Sequence, residues 1–97
     1  MRIISKRVLN NFSEKYPDAR TPLDTWYNLV KKTRWNNTND IKRHYASASI
    51  LKKNRVVFNI GGNKYRLVVK VEYPKQEVYI RFIGTHNEYN KINAEKI

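Results

Sequence analysis

Histidine and arginine are the residues of this 97-residue chain best suited to chemistry on a phosphate. Guanidinium groups donate paired hydrogen bonds to phosphate oxygens, and an imidazole exchanges protons near neutral pH. Arg66 and Arg81 each stand among alternating apolar residues, and His86 comes two residues after Gly84. Tyr89 would share one side of a short helix with His86, where it could stack on a base or orient a substrate. The four polar side chains are the candidates for a catalytic site.

The charge of the chain indicates a polyanionic partner. There are 20 Lys and Arg residues against 8 Asp and Glu, which gives a formal net charge of +12. Such an excess concentrates nucleic acid around a protein and speeds encounter with it. We therefore predict RNA as the partner, bound by basic and aromatic side chains outside the catalytic set: Lys52, Lys53, Arg55, Lys70 and Tyr79.

Several classes of protein are excluded by what the sequence lacks. There is no cysteine, so neither disulfides nor thiolate metal sites can form. The two histidines and the scattered acids show no metal-ligand spacing, and no metal or other cofactor is expected. Apolar runs are far shorter than the ~20 residues needed to cross a membrane, and no signal peptide is evident. The expectation is a cytoplasmic protein without a membrane partner.

The amino half is predicted to hold two helices. Ser5 is the expected N-cap of the first, which ends before Pro17. Thr21 is the expected N-cap of the second, with Pro22 at its first helical position. Apolar residues then recur at helical spacing, at Leu23, Trp26, Tyr27 and Val30. A short strand at Ile3-Ile4 and one or two helical turns between Asp40 and Tyr45 complete this half.

Three cations end the second helix, at Lys31, Lys32 and Arg34. Cations suit the negative carboxyl end of a helix dipole. They suit phosphate contacts equally well, and the sequence leaves both roles open.

The carboxyl half changes to a period of two, which predicts strands. The three strands run from Arg55 to Ile60, from Lys64 to Tyr73 and from Gln76 to Ile83. Gly61-Gly62-Asn63 forms a tight turn between the first two, because glycine permits positive φ. The prediction is an antiparallel meander with the helices on one face, an α+β domain.

Alternation divides the side chains of these strands between two faces. Val78, Ile80 and Phe82 of the third strand are predicted to face the helices and the core. The opposite face is predicted to be uncovered, with Glu77 as the lone acid near a basic cluster. That cluster comprises Arg55, Arg66, Lys70, Tyr79 and Arg81, a pattern typical of a surface for phosphates and bases.

Two stretches of the sequence resemble the HigB family of bacterial toxins, within the RelE/ParE-like superfamily. They are FNIGGNKYRL, within residues 57–68, and RFIGTHNEY, within residues 80–89. The amino-terminal stretch KRVLNNFSEKYPDA is similar to the first helix of that family. The resemblance implies one domain over residues 1–97 with a compact RelE-like, microbial ribonuclease-like fold. Two amino-terminal helices would pack on a three- to four-stranded antiparallel sheet, followed by a short carboxyl-terminal helix.

The same resemblance implies a function. It implies the toxin of a type II toxin–antitoxin system, an mRNA interferase that cuts translated mRNA, on the ribosome, and inhibits growth. Cleavage would need no metal. A HigA-like helix-turn-helix antitoxin would neutralise the toxin, and operator DNA would be contacted only through the toxin–antitoxin complex.

The resemblance also implies roles for individual residues. Arg66, within YRL, matches the strand arginine that the RelE-like branch places on the scissile phosphate. His86 and Tyr89 match the THxEY motif of the HigB-like branch, although Asn90 stands where many relatives have aspartate. Lys52, Lys53 and Arg55 stand where the superfamily has basic residues before its first long strand.

Metal-free cleavage of RNA uses the ribose 2′-hydroxyl as nucleophile and leaves a 2′,3′-cyclic phosphate and a 5′-hydroxyl. We expect Arg66, supported by Arg81, to stabilise the charge that gathers on the phosphate. We expect His86 to be the acid or base, with Lys52 or Lys53 as a second. His44 is expected to be a surface residue.

Two other functions fit the same sequence. A ParE-like toxin acting on DNA gyrase would share the fold but would not need a His/Tyr pair beside arginines. A non-catalytic RNA-binding module would bind RNA with steep salt dependence and leave it uncut.

Overall fold

The computed structural model describes residues 1–97. The chain starts with one strand, β1 (Arg2–Ile4), and continues into three helices: α1 (Lys6–Lys15), α2 (Arg20–Lys32) and α3 (Thr38–His44). A 3-10 turn, Pro17–Ala19, links the first two helices. The remaining elements are β2 (Ser49–Ile50), β3 (Arg55–Ile60), β4 (Tyr65–Glu72), β5 (Glu77–Thr85) and α4 (His86–Tyr89). No helix is long and apolar enough to span a membrane.

The strands form one sheet in the order β1-β5-β4-β3-β2. The α+β prediction is confirmed. The sheet has five strands, more than the three to four predicted. β2 has only two residues, too few to produce an alternating pattern. β1 pairs in parallel with β5, so the sheet is not wholly antiparallel. Every other pair of neighbouring strands is antiparallel.

The predicted helices are present, although two of their starts differ from expectation. Ser5 precedes α1 with φ of 79°, and its side chain caps no backbone N–H. α2 continues from the 3-10 turn and begins at Arg20, so Thr21 and Pro22 lie inside its first turn. The short helix expected near Asp40 is α3, which Asn37 caps through its side chain.

Phe58 of β3 lies at the centre of the core between the helical layer and the sheet. Its ring centroid is 5.4 Å from that of Trp26, 6.0 Å from that of Trp35 and 5.1 Å from that of Tyr45. Phe58, Trp26 and Trp35 are all buried. Large aromatic surfaces removed from water supply much of the stability of a domain this small.

Asp18 attaches the helical layer to the start of β4. Its carboxylate accepts a hydrogen bond from the Tyr65 hydroxyl and pairs with the Lys64 ammonium at 2.8 Å. The hydrogen bond with Lys64, followed by that with Tyr65, lowers the pKa of Asp18. The hydrogen bond to Asp18 raises the pKa of Tyr65 from 10.0 to about 12. We call these three residues the Asp18 clamp.

The sheet face opposite the helices is partly covered, which contradicts the predicted open face. Val57 and Val68 are buried there with Ala94. The covering segment, residues 89–97, packs on them through other apolar side chains: Tyr89, Ile92 and Ile97. An apolar row in the middle of this face needs such a cover, because its exposure to water would be unfavourable.

A β-bulge in β5 changes which side chains face the core. Val68 pairs with Phe82 and Val69 pairs with Ile80, so Arg81 is an extra residue without a partner on β4. Alternation reverses at this point. Phe82 therefore packs with Val68 on the face away from the helices, contrary to prediction, and Ile83 packs on the main core instead.

The Asp18 clamp predicts a characteristic pH dependence for Tyr65→Phe. The lowered pKa of Asp18 means that its contribution is present above the ordinary value of 3.8 and is lost as pH falls. The raised pKa of Tyr65 means that its contribution is present below 10.0 and is lost as pH rises through about 12.

Thermal melts of the unaltered protein and of Tyr65→Phe across pH measure this effect. We expect Tyr65→Phe to have the lower melting temperature, with the largest deficit between about pH 5 and 9. Tyr27→Phe is the matched control, because the Tyr27 hydroxyl makes no hydrogen bond within the chain. A deficit of Tyr65→Phe that stays constant from acid to alkaline pH would contradict this role of the clamp.

Candidate active site

One row of the sheet places Arg66 at the candidate site. Arg66 of β4 pairs with Asn59 on β3 and with Gly84 on β5. The turn between β3 and β4 sets this register, since both of its glycines adopt the left-handed conformation, with φ of 63° and 70°. Gly61 and Gly62 thus confirm the predicted turn.

The guanidinium of Arg66 is held on two sides. Its Nη1 donates to the backbone oxygens of Asn63 and Tyr65, at 3.1 and 3.3 Å. Its Nη2 lies 2.9 Å from Nδ1 of His86. The Nε–H makes no hydrogen bond within the chain, and the side chain is half-buried. The group is therefore fixed in place and still has donors free for an anion.

His86 is placed by the start of α4. Thr85 and Glu88 form a capping box, in which the Glu88 carboxylate accepts from the Thr85 N–H at 2.8 Å and the Thr85 hydroxyl accepts from the Glu88 N–H at 3.2 Å. The backbone hydrogen bond from Thr85 lowers the pKa of Glu88. The His86 N–H donates to the Lys64 oxygen at 3.2 Å, which ties α4 to the start of β4.

The contact between Arg66 and His86 indicates which ring nitrogen accepts a hydrogen bond. A guanidinium has no acceptor atom and stays protonated, so Arg66 is the donor and Nδ1 of His86 is the acceptor. The tautomer that accepts at Nδ1 carries its proton on Nε2. Because the imidazole is exposed, Nε2–H can reach a ligand at the surface.

Gly84 makes room for an aromatic ring beside this pair. A Cβ at residue 84 would lie 2.5 Å from Cζ of Phe82 and 3.1 Å from Oε1 of Glu88. The Phe82 ring therefore lies over Gly84, in the space that a side chain there would fill. Any larger residue at position 84 would disturb both the ring and the capping box that places His86.

A second cluster of predicted residues lies farther along the same face. Lys70, Tyr79 and Arg81 line a concavity of about 310 Å³ together with Glu72 and Lys75. Arg81 is exposed and has no hydrogen bond or ion pair within the chain. It is three residues from Gly84 on β5, which is about 10 Å at ~3.3 Å per residue.

Acids in this second cluster balance part of its charge. Lys70 pairs with Glu72 at 3.0 Å, and the Tyr79 hydroxyl donates to Glu77 at 2.7 Å. The hydrogen bond to Glu77 raises the pKa of Tyr79. The prediction that Glu77 is the lone acid near the basic residues of this face is therefore wrong, because Glu72 lies there as well.

Other predicted residues are engaged in holding the covering segment. The Arg55 Nε and Nη2 both donate to the Ile97 oxygen, and the Lys52 N–H donates to Glu95 at 3.4 Å. The ring of Tyr89 packs on the apolar cluster under the segment. Lys52 and Lys53 are exposed in the β2–β3 connection. Arg55 is four residues from Asn59 on β3, about 13 Å from the Arg66 row.

The structure therefore divides the predicted residues. Arg66 and His86 are in direct contact, whereas Lys70, Tyr79 and Arg81 form a separate cluster beyond the apolar row. The strand arginine and the exposed imidazole offer donors to a phosphate together with a group that can exchange protons. No three His, Cys, Asp or Glu side chains converge as a metal site would require.

Sequence reasoning missed three residues of this site. Asn59 lies beside Arg66, and its place follows from the glycine turn once the register is written out. Glu88 could have been found as the fourth residue of a Thr-x-x-Glu capping box. Phe82 was hidden by the bulge, although adjacent apolar residues at Phe82 and Ile83 were a sign that alternation breaks there.

Comparison with known proteins identifies the family of this chain. A sequence model of HigB toxins, described as the RelE-like toxic component of a toxin-antitoxin system, matches residues 19–92. The mRNA interferase toxin HigB of Escherichia coli (strain K12) is 33% identical to this chain over 96 residues, which cover 97% of this chain and 92% of that protein. The mRNA interferase HigB of Escherichia coli O6:H1 is 26% identical over 94 residues, which cover 95% of this chain and 91% of that protein. The chain belongs to the HigB family of RelE-like toxins from toxin–antitoxin systems.

Proposed function

We propose that this protein is an mRNA endonuclease that acts as the toxin of a type II toxin–antitoxin system. The observation that carries the proposal is the hydrogen-bonded pair of Arg66 and His86 on the sheet face away from the helices. The names of the relatives, mRNA interferases over nearly the whole chain, support the same substrate. An mRNA interferase stops growth because it destroys the template of translation.

The phosphate at the cleaved bond is bound by Arg66. The guanidinium donates its Nε–H and a free Nη2–H to two phosphate oxygens, in the paired geometry that suits phosphate. Its contacts with the Asn63 and Tyr65 oxygens keep it in place while charge builds up on the phosphorus. Asn59, in the same row, supplies an amide that can bind another oxygen of the nucleotide.

His86 transfers a proton in the reaction. Attack of the ribose 2′-oxygen on phosphorus forms the 2′,3′-cyclic phosphate and breaks the bond to the 5′-oxygen. A proton must leave the 2′-hydroxyl, and one must reach the 5′-oxygen. Phosphate draws the guanidinium of Arg66 toward itself and frees Nδ1 of His86 as a base, while a protonated imidazole serves as the acid. His86 performs one of the two transfers and water performs the other, and the side from which the RNA strand enters determines which.

The residues of the second cluster bind nucleotides next to the cleaved one. Arg81 has no partner within the chain, and it lies in the concavity with Lys70 and Tyr79. Along β5, Arg81 is ~10 Å from Gly84. That is about the distance between the cleaved bond and a phosphate one or two nucleotides away. These residues contribute to binding rather than to the chemical step. Tyr89 and Phe82 contribute aromatic surface beside the bound RNA strand.

The remaining parts of the proposal concern the cell. The toxin acts in the cytoplasm, on translated mRNA held by the ribosome, and without a bound metal. A HigA-like helix-turn-helix antitoxin neutralises it, and operator DNA is contacted only by the complex of the two proteins. Membership in a toxin–antitoxin family supports the antitoxin, and the net charge of +12 supports contacts with RNA.

Substitutions of the pair test the proposed chemistry. We expect His86→Gln and Arg66→Ala each to lower mRNA cleavage by about 100-fold or more, the size typical of lost acid–base or phosphate-stabilising groups. Growth inhibition on induction should fall in parallel. His44→Gln is the control, because that histidine is exposed on α3 away from the sheet. Full toxicity of both His86→Gln and Arg66→Ala, with unchanged expression, would refute the site.

Arg81→Ala separates binding from chemistry. Since Arg81 lies outside the Arg66 row, we expect its loss to raise KM for RNA about 5-fold or more while kcat changes less than 3-fold. Arg66→Ala should instead lower kcat. Single-turnover cleavage at saturating protein distinguishes the two. A fall in kcat for Arg81→Ala as large as that for Arg66→Ala would place Arg81 at the cleaved phosphate.

The substrate itself is identified by mapping the 5′ ends of cellular mRNA shortly after induction. We expect new 5′-hydroxyl ends inside translated frames, absent with the His86→Gln variant. Growth arrest without new mRNA ends, but with stalled DNA gyrase, would favour the ParE-like alternative. Binding of RNA without cut ends or growth arrest would favour a non-catalytic module.

A further inference from the structure

A second concavity lies beside the carboxyl end of α2. It has a volume of about 630 Å³, twice that of the concavity around Arg81. Residues of β1, the end of α2 and the β4–β5 turn line it. We call it the basic groove after its cationic lining residues: Arg2, Lys31, Lys32, Arg34 and Lys75.

The lining of the basic groove contains no carboxylate. Among the lining cations only Arg2 pairs with an acid, Glu77, at 3.6 Å, with the Arg2 side chain 77% exposed and that of Glu77 17% exposed. A surface ion pair this long and this exposed neutralises little charge. Five cations around one concavity create a positive field that favours an anion with several charges.

The cations are not needed to complete the end of α2. The Thr33 hydroxyl donates to the Leu29 oxygen at 2.7 Å, and the backbone nitrogen of Met1 donates to the Val30 and Lys31 oxygens at 3.3 and 3.4 Å. Lys31, like Lys32 and Arg34, makes no side-chain hydrogen bond within the chain. Of the two roles that the sequence left open for these cations, phosphate contact is the one the geometry favours.

The groove offers little that an acidic protein segment would need. Its apolar lining residues are Met1, which is buried, Ile3, which is half-buried, and Tyr27. The ring of Tyr27 is itself approached by the Lys6 ammonium, 4.5 Å from its centroid. Protein partners are anchored by apolar and aromatic side chains, and the exposed large apolar residues of this chain lie outside the groove: Val8, Leu29 and Ile50.

Lys75 connects the basic groove to the face that carries the active site. It lines both this groove and the concavity around Arg81. The two concavities therefore meet at the β4–β5 turn. From Arg66 to Glu72, the end of β4 at that turn, is about 20 Å at ~3.3 Å per residue.

We infer that the basic groove binds the phosphate backbone of the substrate RNA several nucleotides from the cleaved bond. The strand passes from the Arg66 row across the Arg81 concavity, turns around Lys75 and lies against the end of α2. Contacts are made to phosphates, so they depend on strand length and not on base sequence. This inference rests on the proposed function, since it takes RNA as the substrate.

Binding of RNA that cannot be cleaved tests the groove separately from the catalytic site. The probes are 2′-O-methylated RNA strands of about 6 and about 30 nucleotides, bracketing typical single-strand site sizes. Each lost phosphate contact lowers the slope of log Kd against log salt by about 0.7. For Lys32→Gln/Arg34→Gln and the long strand, we expect a slope lower by about 1.4, and binding about 25-fold weaker at about 0.1 M salt.

Two controls make the result specific. Arg20→Gln/Arg43→Gln removes the same charge from exposed residues outside the groove and should leave the slope unchanged. The short strand should bind the groove variant and the unaltered protein alike. Lys75→Gln, on an exposed turn, should lower the slope for the long strand by about 0.7 and provides the test if the double variant folds poorly.

The outcomes that overturn the inference are distinct from failure of the proposed function. Equal slopes for the groove variants and the unaltered protein would show that the groove does not bind RNA. Equal weakening of the short and the long strand would place its effect at the active site. Loss of binding to a poly-glutamate peptide, with RNA binding intact, would assign the groove to an acidic protein. None of these measurements requires cleavage, so an inactive protein would still give the expected slopes if the inference holds.

Discussion

The register of β4 against its two neighbours is the constraint on which the candidate site depends. β4 is the central strand of the sheet, and Arg66 can meet His86 only because Gly84 pairs with it and α4 begins two residues later. A shift of one residue would turn Arg66 toward the helices and bury a charge. The Asp18 clamp and the capping box at Thr85 stabilise the two ends of this arrangement, one through the start of β4 and one through the start of α4.

The bulge at Arg81 is what allows one strand to serve both faces of the sheet. Before it, Val78 and Ile80 pack on the main core, and after it Ile83 does so while Phe82 lies on the other face. Without the bulge, Ile83 instead of Gly84 would pair with Arg66, and Phe82 would face the core. The bulge thus costs one unpaired residue and gives an aromatic ring beside the site together with an exposed arginine. It also explains why the basic residues of this face form two clusters rather than one.

Much of the fold could be predicted from the sequence, because its strongest signals are local. The helical stripe around Trp26, the Gly61-Gly62 turn and the alternation of β4 each follow from spacing, and together they place Arg66 on a strand facing away from the helices. Two features have no such signal. Phe82 and Ile83 are both apolar, so the pattern fits either register. Residues 89–97 carry few apolar side chains at irregular spacing, and only the tertiary structure shows that they cover the apolar row.

The Arg66–His86 hydrogen bond joins the two groups on which the candidate site rests. If the ring were protonated it would lose its acceptor and place a second positive charge against the first, at 2.9 Å. In the proposed mechanism, a phosphate bound by Arg66 releases Nδ1 of His86 from this hydrogen bond. The proposed phosphate-binding cation and the proposed proton-transfer group are coupled by one hydrogen bond, and the strand register brings them together.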